Sequence, residues 1–199
     1  MPASIHHEPV TMIVVHHLNN SRSQRVLWLL EELGRPYEIR HHQRDAVTRL
    51  APPALQAVHP LGKAPVVEVD GLTLFESGAI VDHLIRRHGG GRLQPAPVSD
   101  DHVAYQQWLH YAEGSAMLPL MLKLYTSRLG DAAAPLKPRI DSELANHLGD
   151  VNRSLERRDY LLVSELTGAD IQMSFVGEAA RDLRVQYPAM DAWVRRLQA

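Results

Sequence analysis

Residues 59–80, HPLGKAPVVEVDGLTLFESGAI, carry the run of signals that decides the fold. A loop containing proline and glycine leads into a short β-branched run at Val66–Val69, which is predicted as a strand. Asp70-Gly71 follows, and this dipeptide favours a two-residue hairpin turn because both residue types tolerate the left-handed conformation. Leu72–Phe75 is therefore predicted to return as an antiparallel strand.

A helix is predicted directly after this hairpin, with Ser77 as its N-cap, because serine is a preferred residue at that position. Apolar residues then recur at helical spacing and give the helix one buried face. They are Ile80, Val81, Leu84 and Ile85.

The chain before the hairpin predicts two strands and two helices. Met12–Leu18 contains a β-branched run typical of a buried strand. Ser21 marks the start of a helix, which Gly34 and Pro36 end. The remaining elements are a strand at Tyr37–Arg40 and a short helix within the irregular segment Asp45–Val58. The predicted order is β-α-β-α-β-β-α, an α/β domain over residues 1–88.

A change of composition at residues 89–98, with three consecutive glycines and two prolines, predicts an interdomain linker. Everything after it, residues 99–199, is predicted to be helical. Ser99 with two following aspartates is a helix start. The first long helix has one predicted face made of Ala104, Trp108, Tyr111, Ser115, Leu118, Leu122 and Tyr125.

Three further signals extend the helical domain. A second apolar stripe consists of Ile140, Leu144, Leu148, Val151 and Leu155. Thr167 and Asp170 form a predicted capping box, in which each side chain satisfies a backbone N–H near the other residue. Pro188 opens a last short helix that runs through Leu197. We expect the capping box to support folding and assign it no ligand.

Composition narrows the function classes. Among the 199 residues, 45% are hydrophobic and 22% are charged, and the formal net charge of −2 offers no basic surface for nucleic acid. No apolar run reaches the length of a membrane helix, and Met1–Val10 lacks the apolar core of a signal peptide, so we expect a cytoplasmic protein without membrane association.

The cysteine and histidine content excludes or disfavours several kinds of site. Cysteine is absent, which excludes disulfides, a cysteine nucleophile and a cysteine metal site. Adjacent histidines such as His16-His17 and His41-His42 point to opposite faces of a strand. We therefore expect no metal.

Three short segments carry chemistry. Asn20-Ser21-Arg22 lies at a helix N-terminus, where a donor stabilises a bound thiolate, although Ser21 can equally be a simple cap. Ala64-Pro65 enters a strand, where a cis peptide would aim backbone groups at a ligand and a trans bond would make an ordinary turn. Glu76-Ser77 matches the ammonium and carboxylate of an α-amino acid, or is a cap beside a solvated acid.

The segments HPLGKAPVV at 59–67, Asp70-Gly71 and LFESGAI at 74–80 together resemble the glutathione-site signature of cytosolic glutathione S-transferases. Residues 21–28, SRSQRVLW, resemble the start of the first helix in the serine-type classes of that family. The wider run, with Arg44-Asp45 and the alanine-proline segment before His59-Pro60-Leu61-Gly62, resembles the bacterial and fungal branch. The resemblance covers nearly the whole chain and is strongest over residues 12–88. It implies a thioredoxin-like N-terminal domain followed by a C-terminal helical bundle.

The resemblance implies a role for each matching residue. Pro65 is expected to be cis, and Ala64 to pair with the cysteinyl backbone of glutathione. Glu76 and Ser77 are expected to hold the γ-glutamyl end. Lys63 is expected near the glycyl carboxylate. The thiol-activating donor is Ser21 in our first interpretation, with Asn20 and Arg22 as alternatives.

The resemblance implies that the protein conjugates glutathione, a co-substrate, to a small hydrophobic electrophile in detoxification. It also implies a homodimer, and a glutathione-dependent peroxidase activity is a second expectation. Candidate walls for the second substrate are Leu18, Asn19, Met117, Met121 and Tyr125. Two alternatives stay open: a non-catalytic regulatory module of the same fold, and a carrier of apolar ligands.

Overall fold

The computed structural model describes residues 12–162 and 165–199. The chain divides into two compact units, with the boundary between Ile80 and Val81. The polar segment Met1–Val10, on which the absence of a signal peptide was judged, lies outside the described residues. The boundary falls within the third helix, ahead of the glycine-rich stretch at residues 89–98. The assignment of residues 1–88 to one domain therefore stays a prediction.

The first unit has the predicted element order. Its elements are β1 (Ile13–Leu18), α1 (Ser23–Leu33), β2 (Tyr37–His42), α2 (Pro53–Val58), β3 (Val66–Val69), β4 (Leu72–Phe75) and the start of α3 (Ser77–His88). The four strands form one sheet in the order β2-β1-β3-β4. The first pair, β1 with β2, is parallel and the other two pairs are antiparallel. This mixed sheet confirms the predicted thioredoxin-like α/β fold.

β1 is the centre of the unit because it is hydrogen-bonded on both sides. Val15 lies opposite Ile39 on one neighbour and Val67 on the other. α1 packs against β1 and buries Val26 and Leu29 among its apolar residues. Each fully buried aliphatic side chain contributes about 1.5–3 kcal/mol, so this layer holds the start of α1 firmly beside the end of β1.

The hairpin forms with the predicted bounds. Asp70 and Gly71 have φ values of 51° and 74°, the left-handed pair that a tight two-residue hairpin turn requires. β2, by contrast, runs two residues beyond the predicted Arg40, because it pairs with β1 in parallel along its whole length and His42 lies opposite Leu18.

The second unit is helical, as predicted. Its elements are the end of α3, α4 (Asp100–Tyr111), a π-helical turn (Ala112–Ala116), α5 (Met117–Thr126), α6 (Lys137–Leu155), α7 (Gly168–Ala179) and α8 (Pro188–Leu197), with short 3-10 turns at Gly130–Ala133 and Arg184–Gln186. Ser99 caps α4 by accepting from the backbone N–H of His102. The predicted stripe on α6 is buried throughout, from Ile140 to Leu155.

The predicted face of the first long helix packs on the core only in its first half, through Trp108 and Tyr111. Leu118, Leu122 and Tyr125 are exposed, whereas the buried side chains of α4 are Tyr105 and Leu109. Apolar residues occur on more than one face of α4 and α5, so periodicity does not identify the buried one. The π turn adds a further shift, because its hydrogen bonds span five residues and displace the following face.

The predicted capping box is present and its aspartate does more than cap. Asp170 accepts from the backbone N–H and the hydroxyl of Thr167, each at 3.0 Å. The same carboxylate accepts from the backbone N–H of Leu161 and from the indole N–H of Trp193, again at 3.0 Å. Burial raises the pKa of Asp170, although these four donors act in the opposite direction. One buried carboxylate therefore joins the start of α7 to α8.

Candidate functional site

The loop after β1 is fastened at Asn19. Its side-chain oxygen accepts from the backbone N–H of Arg44 at 2.8 Å, and its carbonyl accepts from Arg44 Nε at 3.1 Å. Asn20 follows with φ 50°, a left-handed conformation that asparagine tolerates better than most residues. The chain thereby reverses direction and delivers Ser21 to the start of α1.

Ser21 is not the N-cap of α1, which corrects the predicted helix start. The helix begins at Ser23, and Arg22 in front of it already has helical φ and ψ with no side-chain cap. Ser21 Oγ accepts from the backbone N–H of Ser23 at 3.3 Å, a local serine turn, and lies 2.7 Å from Ser23 Oγ. Its side chain is nearly buried, at 6% exposure, so its orientation is restricted.

A histidine that sequence reasoning missed completes this group. His17 Nδ1 lies 2.9 Å from Ser23 Oγ, so Ser23 joins Ser21 to His17. His17 also contacts His41 on β2, edge-on, with ring centroids 5.7 Å apart. Burial, and then His41, lowers the pKa of His17 below its usual value. The strand alternation of β1, which turns His17 away from His16, was the only sequence signal for this contact.

The second segment, Lys63-Ala64-Pro65, leads directly into β3. The Ala64–Pro65 peptide is cis, as predicted. Pro65 is buried, Ala64 is half-buried and the Lys63 side chain is exposed. The backbone groups of Ala64 and the ammonium of Lys63 are therefore accessible to a ligand.

The third segment, Glu76-Ser77, joins β4 to α3 and differs from the prediction by one residue. Ser77 is the first residue of the helix and not its cap. Glu76 has φ 67°, and its carbonyl accepts the N–H of Ile80 at 3.0 Å, which makes Glu76 the residue that enters the helix. Glu76 is exposed and Ser77 is buried, so the carboxylate faces solvent above a helix N-terminus.

Arg25, which sequence reasoning did not identify, holds Ser77 in place through a hydrogen bond. Its guanidinium is 1% exposed, and Nη1 donates to Ser77 Oγ at 3.1 Å. Arg25 lies on α1, two residues after its start, so the bond ties the N-terminal ends of α1 and α3 together. Burying a guanidinium costs free energy of desolvation unless hydrogen bonds replace its contacts with water. We therefore infer that the site requires a cation beside Ser77.

The sheet register brings the three segments to one edge. His16 on β1 lies opposite Val66 on β3, and Val66 lies opposite Phe75 on β4. At this end of the sheet, β1 leads into the loop with Ser21 and β4 leads into Glu76-Ser77. β3 begins at the same end, directly after Ala64-Pro65. Backbone donors at a helix N-terminus attract anions, so the edge fits a ligand with a carboxylate, an ammonium and a peptide backbone.

Three residues predicted as pocket walls, Met117, Met121 and Tyr125, lie on α5 in the second unit. Met117 is 2% exposed and belongs to the hydrophobic core of the helical unit, and its role as a pocket wall stays a prediction. Met121 packs against the same core, and Tyr125 is exposed. Within residues 12–162 and 165–199 there is no group of three or more acidic or histidine side chains able to hold a metal ion. Nor does that part of the chain contain a helix with the length and hydropathy to cross a membrane.

Known proteins resemble the chain in both sequence and structure. The family model "Glutathione S-transferase, N-terminal domain" matches residues 10–86. Glutathione S-transferase 3 of Schizosaccharomyces pombe is 36% identical over 92% of this chain and 82% of its own length. Glutathione S-transferase 1 of Saccharomyces cerevisiae is 31% identical over 94% of this chain and 90% of its own length.

A solved structure agrees with these relatives. A glutathione S-transferase from Actinobacillus pleuropneumoniae superimposes with a TM-score of 0.85 and 32% identity, covering 94% of this chain and 87% of that one. The chain therefore belongs to the glutathione S-transferase family of enzymes.

Proposed function

We propose that the chain binds glutathione at the edge formed by Ser21, Ala64 and Ser77, activates its thiol, and transfers it to small electrophiles. The observation that carries the proposal is the position of Ser21. Its nearly buried hydroxyl is held at the start of α1, at the same sheet edge as the cis Ala64–Pro65 peptide and the Glu76-Ser77 helix start.

Binding uses the two ends of the peptide ligand. The exposed Glu76 carboxylate accepts from the γ-glutamyl ammonium, and Ser77 with the N-terminus of α3 receives the γ-glutamyl carboxylate. The accessible edge of Ala64 pairs with the cysteinyl backbone, and the exposed Lys63 approaches the glycyl carboxylate. This arrangement points the cysteinyl thiol toward the start of α1.

Activation of glutathione requires a lower pKa of its thiol, so that more of it is present as the thiolate. A hydroxyl that donates to sulfur favours the thiolate over the thiol, and the partial positive charge at a helix N-terminus acts in the same direction. Ser21 is our first choice as donor because its position is fixed. Arg22 and Asn20 flank it and remain alternatives, and the cation of Arg22 would stabilise a thiolate more strongly per bond.

The reaction then requires the thiolate sulfur to lie close to the electrophilic carbon, which carries a leaving group. The thiol proton passes to solvent, the thiolate sulfur attacks the electrophilic carbon, and a carbon–sulfur bond forms as the leaving group departs with its electron pair. With an organic peroxide, the same thiolate would attack a peroxide oxygen, and the O–O bond would break to release the alcohol and leave a sulfenic acid on glutathione. The thiol of a second glutathione would then form the disulfide and release water.

We also propose that the enzyme works as a homodimer in the cytoplasm, in detoxification. Large apolar side chains on α4 and α5 support an interface there: Val103 is 61% exposed and Leu118 is 56% exposed. Sedimentation of the protein at the mass of a single chain would contradict the dimer.

The test of the proposed activity is conjugation of glutathione to a chloronitrobenzene. We expect turnover by the wild type and a loss of about 10- to 100-fold in kcat for Ser21→Ala, the size of a hydrogen bond to a charged group. Arg22→Ala and Asn20→Ala, which remove the two alternative donors in the same loop, are measured beside it. If Ser21→Ala keeps the full rate and Arg22→Ala abolishes it, Arg22 is the donor.

Calorimetry separates the enzyme from the alternatives. Millimolar glutathione should release measurable binding heat with the wild type and with Ser21→Ala. Absence of binding would favour a non-catalytic regulatory protein, and binding of hydrophobic dyes without turnover would favour a carrier.

A further inference from the structure

A chain of hydrogen bonds leads inward from Ser21 to a histidine. Ser21 Oγ lies 2.7 Å from Ser23 Oγ, and Ser23 Oγ lies 2.9 Å from His17 Nδ1. Ser23 is fully buried and has one hydroxyl proton to place between these two neighbours. The histidine therefore determines which way that proton points.

The two possible directions have opposite consequences for Ser21. If His17 Nδ1–H donates to Ser23, then Ser23 donates to Ser21. Ser21 Oγ already accepts from the backbone N–H of Ser23, so both of its acceptor positions are filled and its own proton is free to point outward. If His17 Nδ1 instead accepts from Ser23, the Ser21 hydroxyl donates its proton to Ser23 Oγ and cannot donate to a ligand.

We propose that His17 is a positioning residue for thiol activation: by donating from Nδ1 to Ser23, it directs the Ser21 proton toward the sulfur of bound glutathione. This inference rests on the proposed function and assigns a role to two residues, His17 and Ser23, that do not touch the substrate. No proton is transferred to His17 in the reaction.

The place of His17 in β1 supports a specific role. It shares its face of the strand with Ile13 and Val15, which are buried at 2% and 0% exposure, so the pattern favours an apolar residue there. A half-buried imidazole costs desolvation that an isoleucine would not. The hydrogen bond to Ser23 offsets that cost and links the strand to the site.

Two contacts of the His17 ring bear on its charge and on its Nδ1 atom. His41 on β2 meets the ring edge-on and, after burial, is the second cause of the lowered pKa of His17. Ser23 on α1 is the hydrogen-bond partner at Nδ1. A neutral ring with its proton on Nδ1 supplies the required donor at neutral pH.

The test compares two amides at position 17. An asparagine amide can donate from about the place of Nδ1, whereas a glutamine amide reaches the place of Nε2. The readout is the pKa of the thiol of bound glutathione, followed by the ultraviolet absorption of its thiolate as pH rises. His17→Asn should keep the wild-type value, and His17→Gln should raise it by about one unit, or tenfold less thiolate below the pKa. Ser23→Ala should raise it by a similar amount, because it removes the hydroxyl donor that holds the Ser21 proton in the outward direction.

Further measurements distinguish positioning from folding. The KM for glutathione should stay the same while kcat falls, and the double variant His17→Gln/Ser23→Ala should lose no more than either single one, since both break the same chain. His42→Ala is the matched control, because His42 pairs with His16 and not with Ser23.

The outcomes separate this inference from the function on which it rests. An unchanged thiol pKa in His17→Gln and Ser23→Ala, with a raised one in Ser21→Ala, would overturn the role of His17 and leave the proposed function standing. Equal losses in His17→Asn and His17→Gln would also overturn it. Failure of the wild type to bind glutathione would refute the proposed function itself.

Discussion

Arg25 and Ser77 are joined by a buried hydrogen bond, from guanidinium Nη1 to hydroxyl oxygen at 3.1 Å. The bond connects the start of α1 with the first residue of α3, the two helix N-termini that border the proposed site. Ser77 accepts from Arg25, and its backbone N–H stands at the N-terminus of α3, where anions bind. A cation and a donor thus stand together where a carboxylate is expected.

Loss of Arg25 should therefore weaken glutathione binding. We expect Arg25→Met to raise the Kd about tenfold or more, since hydrogen bonds to charged groups contribute about 1.5–3 kcal/mol. Ser77→Ala should have an effect of the same size, and the double variant should be less than additive. Calorimetric titration measures the Kd, and thermal unfolding checks that each variant folds. Unchanged affinity in a folded Arg25→Met would contradict the role.

Removal of Asp170 should destabilise the helical unit strongly. Asp170→Ala leaves four donors without their acceptor, two of them on Thr167, and buried groups of this kind cost about 3–5 kcal/mol when one partner is removed. Urea unfolding measures the loss. Asp159→Ala is the control: it removes an exposed ion pair with Arg196 and should cost less than about 1 kcal/mol. Similar losses in both variants would refute the prediction.

Gly168 should not tolerate a side chain. A Cβ there would lie 2.5 Å from Ile85 Cδ1 and 2.7 Å from the Tyr105 hydroxyl, inside the packed core of the helical unit. Gly168→Ala should lower the free energy of unfolding by about 1–3 kcal/mol. Gly114→Ala, in the π turn with nothing within 4 Å of the added atom, should be neutral or slightly stabilising. Denaturant midpoints of the two variants test the difference, and a neutral Gly168→Ala would contradict it.

Acidification should destabilise the protein through His17 and His42. Burial is the first cause that lowers both pKa values below 6.5, with a neighbouring histidine second in each case. The unfolded chain therefore binds protons first as pH falls below 6.5, and stability is lost until the folded-state pKa is passed. Above 6.5 these groups should have no effect.

The measurement for this pH effect is the urea midpoint at several pH values from about 7.5 to 5. Burial raises the pKa of Asp170, which acts in the opposite sense, so the informative quantity is the difference between wild type and His42→Ala. The variant should lose less stability over this range than the wild type. Parallel curves would show that His42 does not contribute.

Local signals in the sequence sufficed for most of the fold. The hairpin has its predicted bounds because Asp70-Gly71 permits the two positive φ values of its turn. The stripe on α6 was predicted because apolar residues occupy a single face there. On α4 and α5 the same reasoning held only in part, since apolar residues such as Leu118 also face outward and the π turn has no composition signal.

The site was predictable only where the chain itself carries the motif. Ala64-Pro65 and Glu76-Ser77 are contiguous, so their pattern could be read directly. His17 and Arg25 act across elements, through bonds to Ser23 and Ser77, and no local pattern encodes such partners. The starts of α1 and α3 were misplaced because serine caps a helix and also forms local turns beside one.

A crystal structure of the protein with glutathione tests the central claim most directly. The predicted result is a sulfur within hydrogen-bond distance of Ser21 Oγ, the cysteinyl backbone paired with Ala64, and the γ-glutamyl end at Glu76 and Ser77. A sulfur held by Asn20 or Arg22, or a γ-glutamyl end bound away from the start of α3, would contradict the account.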